Sequence, residues 1–200
     1  QLIVMKLTRS GMSETVVGDP KAPFRPLRFL LQAIYFRVFI DAGFWAGHYL
    51  LHTKAFYWIH KKHHEHAHTK LTTNYHFLWS DLAIEAFLPF FFAAMIHDKF
   101  VGPLNESEIN LFAGYAFTYE IFSHAGKALP IMNAVAPLSP WFQRYDDRNP
   151  WAHEVHHRTL KYNLSISYWF DRLMGTDRWG NRAGVAPEEE QEETLVTDLE

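Results

Sequence analysis

The chain is 200 residues long, 48% apolar and 16% aromatic, which is enough to bury a core and excludes a disordered chain. It contains no cysteine, so disulfides, thiolate zinc sites and iron–sulfur clusters are excluded and any bound metal has only nitrogen and oxygen donors. The net charge of −3 is local: seven of the 22 acids fall in the last fourteen residues, from Pro187 onward, and what precedes them is net basic.

Residues 1–26 carry Gly11, Gly18, Pro20, Pro23 and Pro26 and predict an irregular lead-in; the apolar run at 2–5 is too short for a signal peptide. A long apolar helix is expected over 27–52, interrupted by Arg37 and Asp41 at i,i+4 spacing, and a second helix over 56–66. Residues 77–97 are the most apolar stretch, and about 21 helical residues reach ~31 Å, close to the ~30 Å of a bilayer's hydrocarbon core. Gly102 and Pro103 predict a turn over 98–106, and a returning helix follows over 107–125. This hairpin brings His76, Asp81 and Glu85 at one base beside Glu120 and His124 at the other. Lys54, Lys61, Lys62 and Lys70 gather on that side, which places it in the cytosol by the positive-inside bias. Pro130, Pro137, Pro140 and Pro150 predict a long connection, followed by a short helix from Trp151. The expected division is a lead-in (1–26), a catalytic domain (27–180) and an acidic, disordered tail (181–200).

Eight of the thirteen histidines fall into three strings: HYLLH at 48–52, HKKHH at 60–64 and HEVHH at 153–157. On a helix, residues three or four apart share a face, so each string aims two or three imidazoles at one spot. Neutral imidazole is the commonest metal ligand among side chains. It suits iron, zinc, copper and nickel alike, so the ligand type alone does not name the metal. His66 and His68 turn away from the shared face and are expected in solvent; His97, at the far end of its helix, is expected at the membrane interface.

Four strings in this order, DAGFWAGHYLLH at 41–52, IHKKHHEH at 59–66, EIFSHAG at 120–126 and HEVHHRTLKYNLSISYWFDRLMGT at 153–176, with a lone His76 between the second and third, are highly specific as a set. Across roughly residues 28–180 the chain resembles the fatty acid hydroxylase / sterol desaturase superfamily of membrane-bound, histidine-rich di-iron oxidases. The resemblance implies an all-α, integral-membrane fold of helical hairpins with a cytosolic helical cap holding a dimetal site. It implies His48, His52, His60, His63, His64, His153, His156 and His157 as ligands, with His76 and His124 added from the hairpin bases, about five to each metal. Two iron ions are the implied cofactor, with zinc able to occupy a purified form.

The implied reaction is dioxygen-dependent hydroxylation or desaturation of a lipid, sterol or fatty acyl. Electrons would come from an external donor such as a b-type cytochrome or a ferredoxin with its reductase, since no GxGxxG fingerprint follows a strand. The implied location is the endoplasmic reticulum in a eukaryote or the inner membrane in a bacterium, and no nucleic-acid partner is expected. Two positions depart from the family's pattern: Tyr49 stands where an Arg often follows the first histidine, and Asn163-Leu-Ser where an NYG-like string often occurs. The three-residue spacing inside the first string leans towards sterol-type substrates. Asp41, Asp81, Glu85, Glu120, Glu154 and Asp171 are candidates to hold a ligand's outer N–H, Glu120 first, because an acid in an apolar helix needs a partner. A non-catalytic histidine-rich scaffold and a zinc hydrolase remain the alternatives.

Overall fold

A computed structural model describes residues 25–102, 104–127, 129, 149–166 and 169–178. Residues 1–24 of the lead-in, 130–148 of the proline-rich connection and the acidic tail lie outside the described residues. Among those described, the chain is helical without a β-strand: α1 (Pro26–Leu51), α2 (Tyr57–His60), α3 (Trp79–Val101), α4 (Glu106–Ser123), α5 (Asn149–Thr159) and α6 (Trp169–Met174). Short 3-10 turns at His63–Glu65 and Thr73–Tyr75 link α2 to α3.

Helix α1 starts where its sequence allows. Pro26 takes the first helical turn, where its missing N–H costs nothing, and Arg25 before it is extended. Helix α4 starts with a reciprocal cap: Asn105 Oδ1 accepts from Glu108 N at 2.8 Å, and Glu108 Oε2 accepts from Asn105 N at 3.0 Å. Helix α3 runs four residues past its expected end, to Val101, because the break is set by Gly102 at φ 106° and not by the charged residues before it. The expected helix over 56–66 is instead one short helix and one 3-10 turn, and this matters for the histidines.

Within α3, the segment Ala83–Phe87 is a π-helical turn. The cause is Pro89, which has no N–H for the Glu85 carbonyl four residues back and whose ring would clash with that carbonyl in a regular helix; the widened turn relieves both. Two glycines one turn apart on α1 receive this bulge. A Cβ at Gly43 would stand 3.0 Å from Pro89 Cβ, and one at Gly47 would stand 3.0 Å from the Ile84 carbonyl oxygen. Small residues at such spacing let helix backbones approach closely. Gly47→Val is therefore expected to force α1 and α3 apart and to cost about 1–3 kcal/mol, read as a lowered thermal midpoint in detergent; an unchanged midpoint would contradict the close packing.

Helices α1 and α3 run antiparallel and α4 runs alongside α1, around Ala33, Phe36, Ala93, Ala94, Leu104, Ile109 and Phe112. Phe36 stacks on Phe112 at 4.8 Å, and Phe29 on the same ring at 4.7 Å. Helices α1 and α3 are both long and apolar enough to cross a membrane, ~39 Å and ~35 Å by helical rise, with only 33% and 22% of their apolar windows buried in the chain. Leu27, Leu31, Phe92 and Phe100 point outward and uncovered, as lipid-facing side chains do and core side chains do not. The expected hairpin was α3 with α4, yet the spans selected by length and hydropathy are α1 and α3.

His97 corrects another expectation. It is 0% exposed, not interfacial, because Gln32 of α1 meets its ring at 3.2 Å; with the Gln32 amide turned to accept from His97, its nitrogen donates to Glu108 at 3.1 Å. This small polar cluster joins α1, α3 and α4 at the end away from the histidine strings.

Candidate metal centre

The C-terminal end of α1, the N-terminal end of α3 and the C-terminal end of α4 meet at one end of the helical layer, where α2 and α5 lie across them. Nine histidines converge there in two groups. His48, His52, His60, His64 and His156 form the first; His63, His124, His153 and His157 form the second, with one potential ligand atom from each residue within 4.8 Å of the others in its group. The groups abut, with His64 and His157 ring centres 4.5 Å apart and those of His60 and His63 5.2 Å apart.

The strings divide between the groups instead of serving one spot each. His60 closes α2 while His63 opens a 3-10 turn, so His60 and His64 face the first group and His63 the second. In α5, His153 and His157 lie one turn apart and face the second group, whereas His156 faces the first. His76, expected as a ligand, stands apart from both. Its Nε2 lies 2.6 Å from Glu65 Oε2 and its ring is 5.0 Å from that of His66. What His76 gives the site is backbone: a hydrogen bond from His63 to its main chain.

The outer nitrogens fix which inner nitrogens can bind a metal. His48 Nδ1 donates to the Leu164 carbonyl at 2.8 Å, His60 Nδ1 to Asp81 Oδ1 at 2.8 Å, His124 Nδ1 to the Glu120 carbonyl at 2.8 Å and His156 Nδ1 to the Tyr162 carbonyl at 2.8 Å. A neutral imidazole has one N–H, so each of these rings presents a bare lone pair at Nε2. Those lone pairs face one another. Nε2 of His48 and His60 are 3.0 Å apart, and Nε2 of His64 lies 2.9 Å from that of His60. In the second group, His124 Nε2 is 2.8 Å from His153 Nε2 and 3.2 Å from His63 Nε2. His52 Nε2 and His156 Nε2 are buried without any hydrogen-bond partner. Clustered lone pairs and orphaned nitrogens repel or go unsatisfied unless a cation sits among them, so the residues fit a pair of metal ions.

Asp81, fully buried, is the carboxylate that holds a ligand's outer N–H, and Glu120 is not. Glu120 orients His124 through its backbone carbonyl while its carboxylate stands 3.8 Å from the same nitrogen. Glu154 turns outward to Arg158 at 2.5 Å and His68 at 3.2 Å. Asp171 is buried under the loop that carries Leu164, accepting from Leu164 N and Ser165 N at 2.8 Å each and from Thr176 Oγ1 at 2.7 Å. Thr176 Oγ1 in turn accepts from Trp45 Nε1 of α1 at 3.0 Å. Asn163, in the NYG-like position, sits at φ 57° and bonds Ala152 O and Arg178 N, closing the loop against α5. Gly126, two residues after His124, is required at φ 67°, where a Cβ would lie 2.5 Å from the Thr69 carbonyl.

Burial pushes His52, His60, His63, His64, His153 and His157 well below the ordinary imidazole range, and neighbouring imidazoles push the same way. Burial takes His124 and His156 down to about 4. These rings are neutral near pH 7 and ready to bind a metal. The linkage has one sign: between about 6.5 and about 4 the unfolded chain holds more protons than the folded one, so stability is present above that window and lost as pH falls through it. Protons also compete for the ligands. Acidification from about pH 7 to about pH 5 should release metal and lower the thermal midpoint together; a midpoint flat across that interval would contradict the buried, neutral assignment.

A helical protein with two membrane-length helices and two adjoining histidine groups able to hold metal is the class that fold and site define. The chain belongs to the fatty acid hydroxylase family, whose model matches residues 33–176, well over half of it, and which falls within the fatty acid hydroxylase/sterol desaturase superfamily. No curated protein and no solved structure matches the chain.

Proposed function

We propose that this chain is a membrane-bound oxidase that uses dioxygen and two iron ions to hydroxylate or desaturate an unactivated carbon of a lipid, of sterol or fatty acyl type. The observation that carries the reading is the pair of abutting, all-imidazole groups at the end of lipid-facing helices in a chain of this family. His48, His52, His60, His64 and His156 would hold one iron and His63, His124, His153 and His157 the other. Bound iron supplies the redox chemistry that zinc lacks, dioxygen activation and removal of hydrogen from a C–H bond. The protein's own part is to keep His48, His60, His63, His124 and His156 each in one tautomer, through Leu164, Asp81, His76, Glu120 and Tyr162, and to limit water by burying most of the rings. Uncovered apolar side chains on α1 and α3 let a lipid approach from within the bilayer.

Electrons come from an external carrier, and Lys54, Lys61 and Lys70, exposed at the site's end, favour an acidic one and a cytosolic orientation. The test is mass spectrometry of lipids from cells with and without the gene under isotope-labelled dioxygen. A lipid that gains one labelled oxygen, or loses two hydrogens, only when the gene is present supports the proposal. Identical lipid profiles in cells where the protein is folded and iron-loaded would overturn it.

A further inference from the structure

The two histidine groups differ in one respect that the histidine strings do not announce. Glu85 reaches into the first group: its Oε1 lies 3.3 Å from His48 Nε2 and 3.8 Å from His60 Nε2, and its side chain is 14% exposed. Both nitrogens are the inner ones, whose lone pairs are fixed by the Leu164 carbonyl and by Asp81. Neither neutral ring has a proton to offer, so the Glu85 oxygen converges with two nitrogen lone pairs that already face each other at 3.0 Å. A cation among them turns repulsion into coordination. The placement is built into the backbone. Glu85 sits in the π-helical turn forced by Pro89, and the glycine face of α1 lets this turn close on the helix end that bears His48. Among the described residues the second group has no counterpart: the Glu120 carboxylate stands 3.8 Å from the outer nitrogen of His124.

We propose that Glu85 is an oxygen ligand of the metal held by the first group, which makes the two metal positions chemically unequal. The assignment rests on reading both groups as metal positions. The first position would then add a carboxylate to its imidazoles, through the side of the group that His48 and His60 form, whereas the second would have imidazoles alone among the described residues.

The experiment uses whole protein expressed in cobalt-supplemented medium, comparing wild type with Glu85→Gln and Glu85→Ala. Cobalt per chain, its loss to a competing chelator and its visible absorption are measured. Wild type should carry two cobalt ions with distinguishable absorption. Glu85→Ala should lose more than about a hundredfold in affinity at one position only, since loss of a group that merely orients a ligand already costs about 10- to 100-fold, with a changed absorption band at that position. Glu85→Gln keeps the shape and an oxygen but not the charge, so it should fall between, and it decides the matter if the alanine variant does not fold. Wild-type cobalt retention and an unchanged spectrum in Glu85→Gln, together with the same in any folded Glu85→Ala, would overturn the assignment. A wild-type chain that carries fewer than two cobalt ions would instead overturn the two-metal reading on which it rests.

Discussion

His156→Ala is expected to empty the first metal position and abolish product formation in the same step. The His156 ring stands 4.4 Å from His48, 4.9 Å from His52 and 4.8 Å from His64, with its Nε2 buried and unpartnered and its Nδ1 held by the Tyr162 carbonyl. Its removal deletes a donor from the centre of the group and leaves the remaining imidazoles arranged around a gap. Changing a group that merely orients a ligand costs about 10- to 100-fold in metal affinity, so losing the ligand itself should exceed about 100-fold at that position. Metal analysis after gel filtration would show one metal per folded chain or none, and turnover would fall to background. Full metal content with full activity in this variant would refute the grouping.

Asp171→Ala is expected to be the most damaging change outside the histidines. The carboxylate is fully buried and accepts from Leu164 N, Ser165 N, Ser165 Oγ at 2.6 Å and Thr176 Oγ1, so alanine strands two backbone N–H groups and frees two hydroxyls. At about 1–3 kcal/mol for each unsatisfied buried group, the loss should be on the order of 4 kcal/mol. It also reaches the metal, since Leu164 supplies the carbonyl that fixes the tautomer of His48. Asp171→Asn should be nearly as harmful, because its NH2 would face the same donors. Chemical unfolding in detergent, paired with metal content, checks both effects; stability within about 0.5 kcal/mol of wild type would contradict this role for the loop.

The helices that carry the site could be read from the sequence where a single period governs them. Hydropathy places α1, α3 and α4 to within a few residues, and the histidine spacing gathers eight of the nine histidines of the two groups, with His124 added by the resemblance. What could not be read lies where the backbone leaves that period. The passage from α2 at His60 into a 3-10 turn at His63 changes the rotation per residue, so one HxxHH string feeds two groups. The π-helical turn at Ala83–Phe87 rotates Glu85 against His48, whereas a regular helix gives no reason to rank it above Glu120. Carbonyl acceptors carry no side-chain signature at all: Leu164, Tyr162 and Glu120 hold three ligand tautomers through backbone oxygens. His76 shows the limit most plainly, since a histidine in the right place along the chain gives the site its main chain while its ring pairs with Glu65. The burial of His97 is illegible for a related reason, because its partner Gln32 lies 65 positions away in the sequence.

The proposed pair of iron ions, held by nine imidazoles in two abutting groups, is open to direct measurement. Mössbauer spectroscopy of protein from cells grown on enriched iron, with the iron counted per chain, tests it most directly. Two irons per chain in two distinguishable nitrogen-rich environments are expected. A single iron, or two with identical spectra that survive loss of His156, would contradict the proposal.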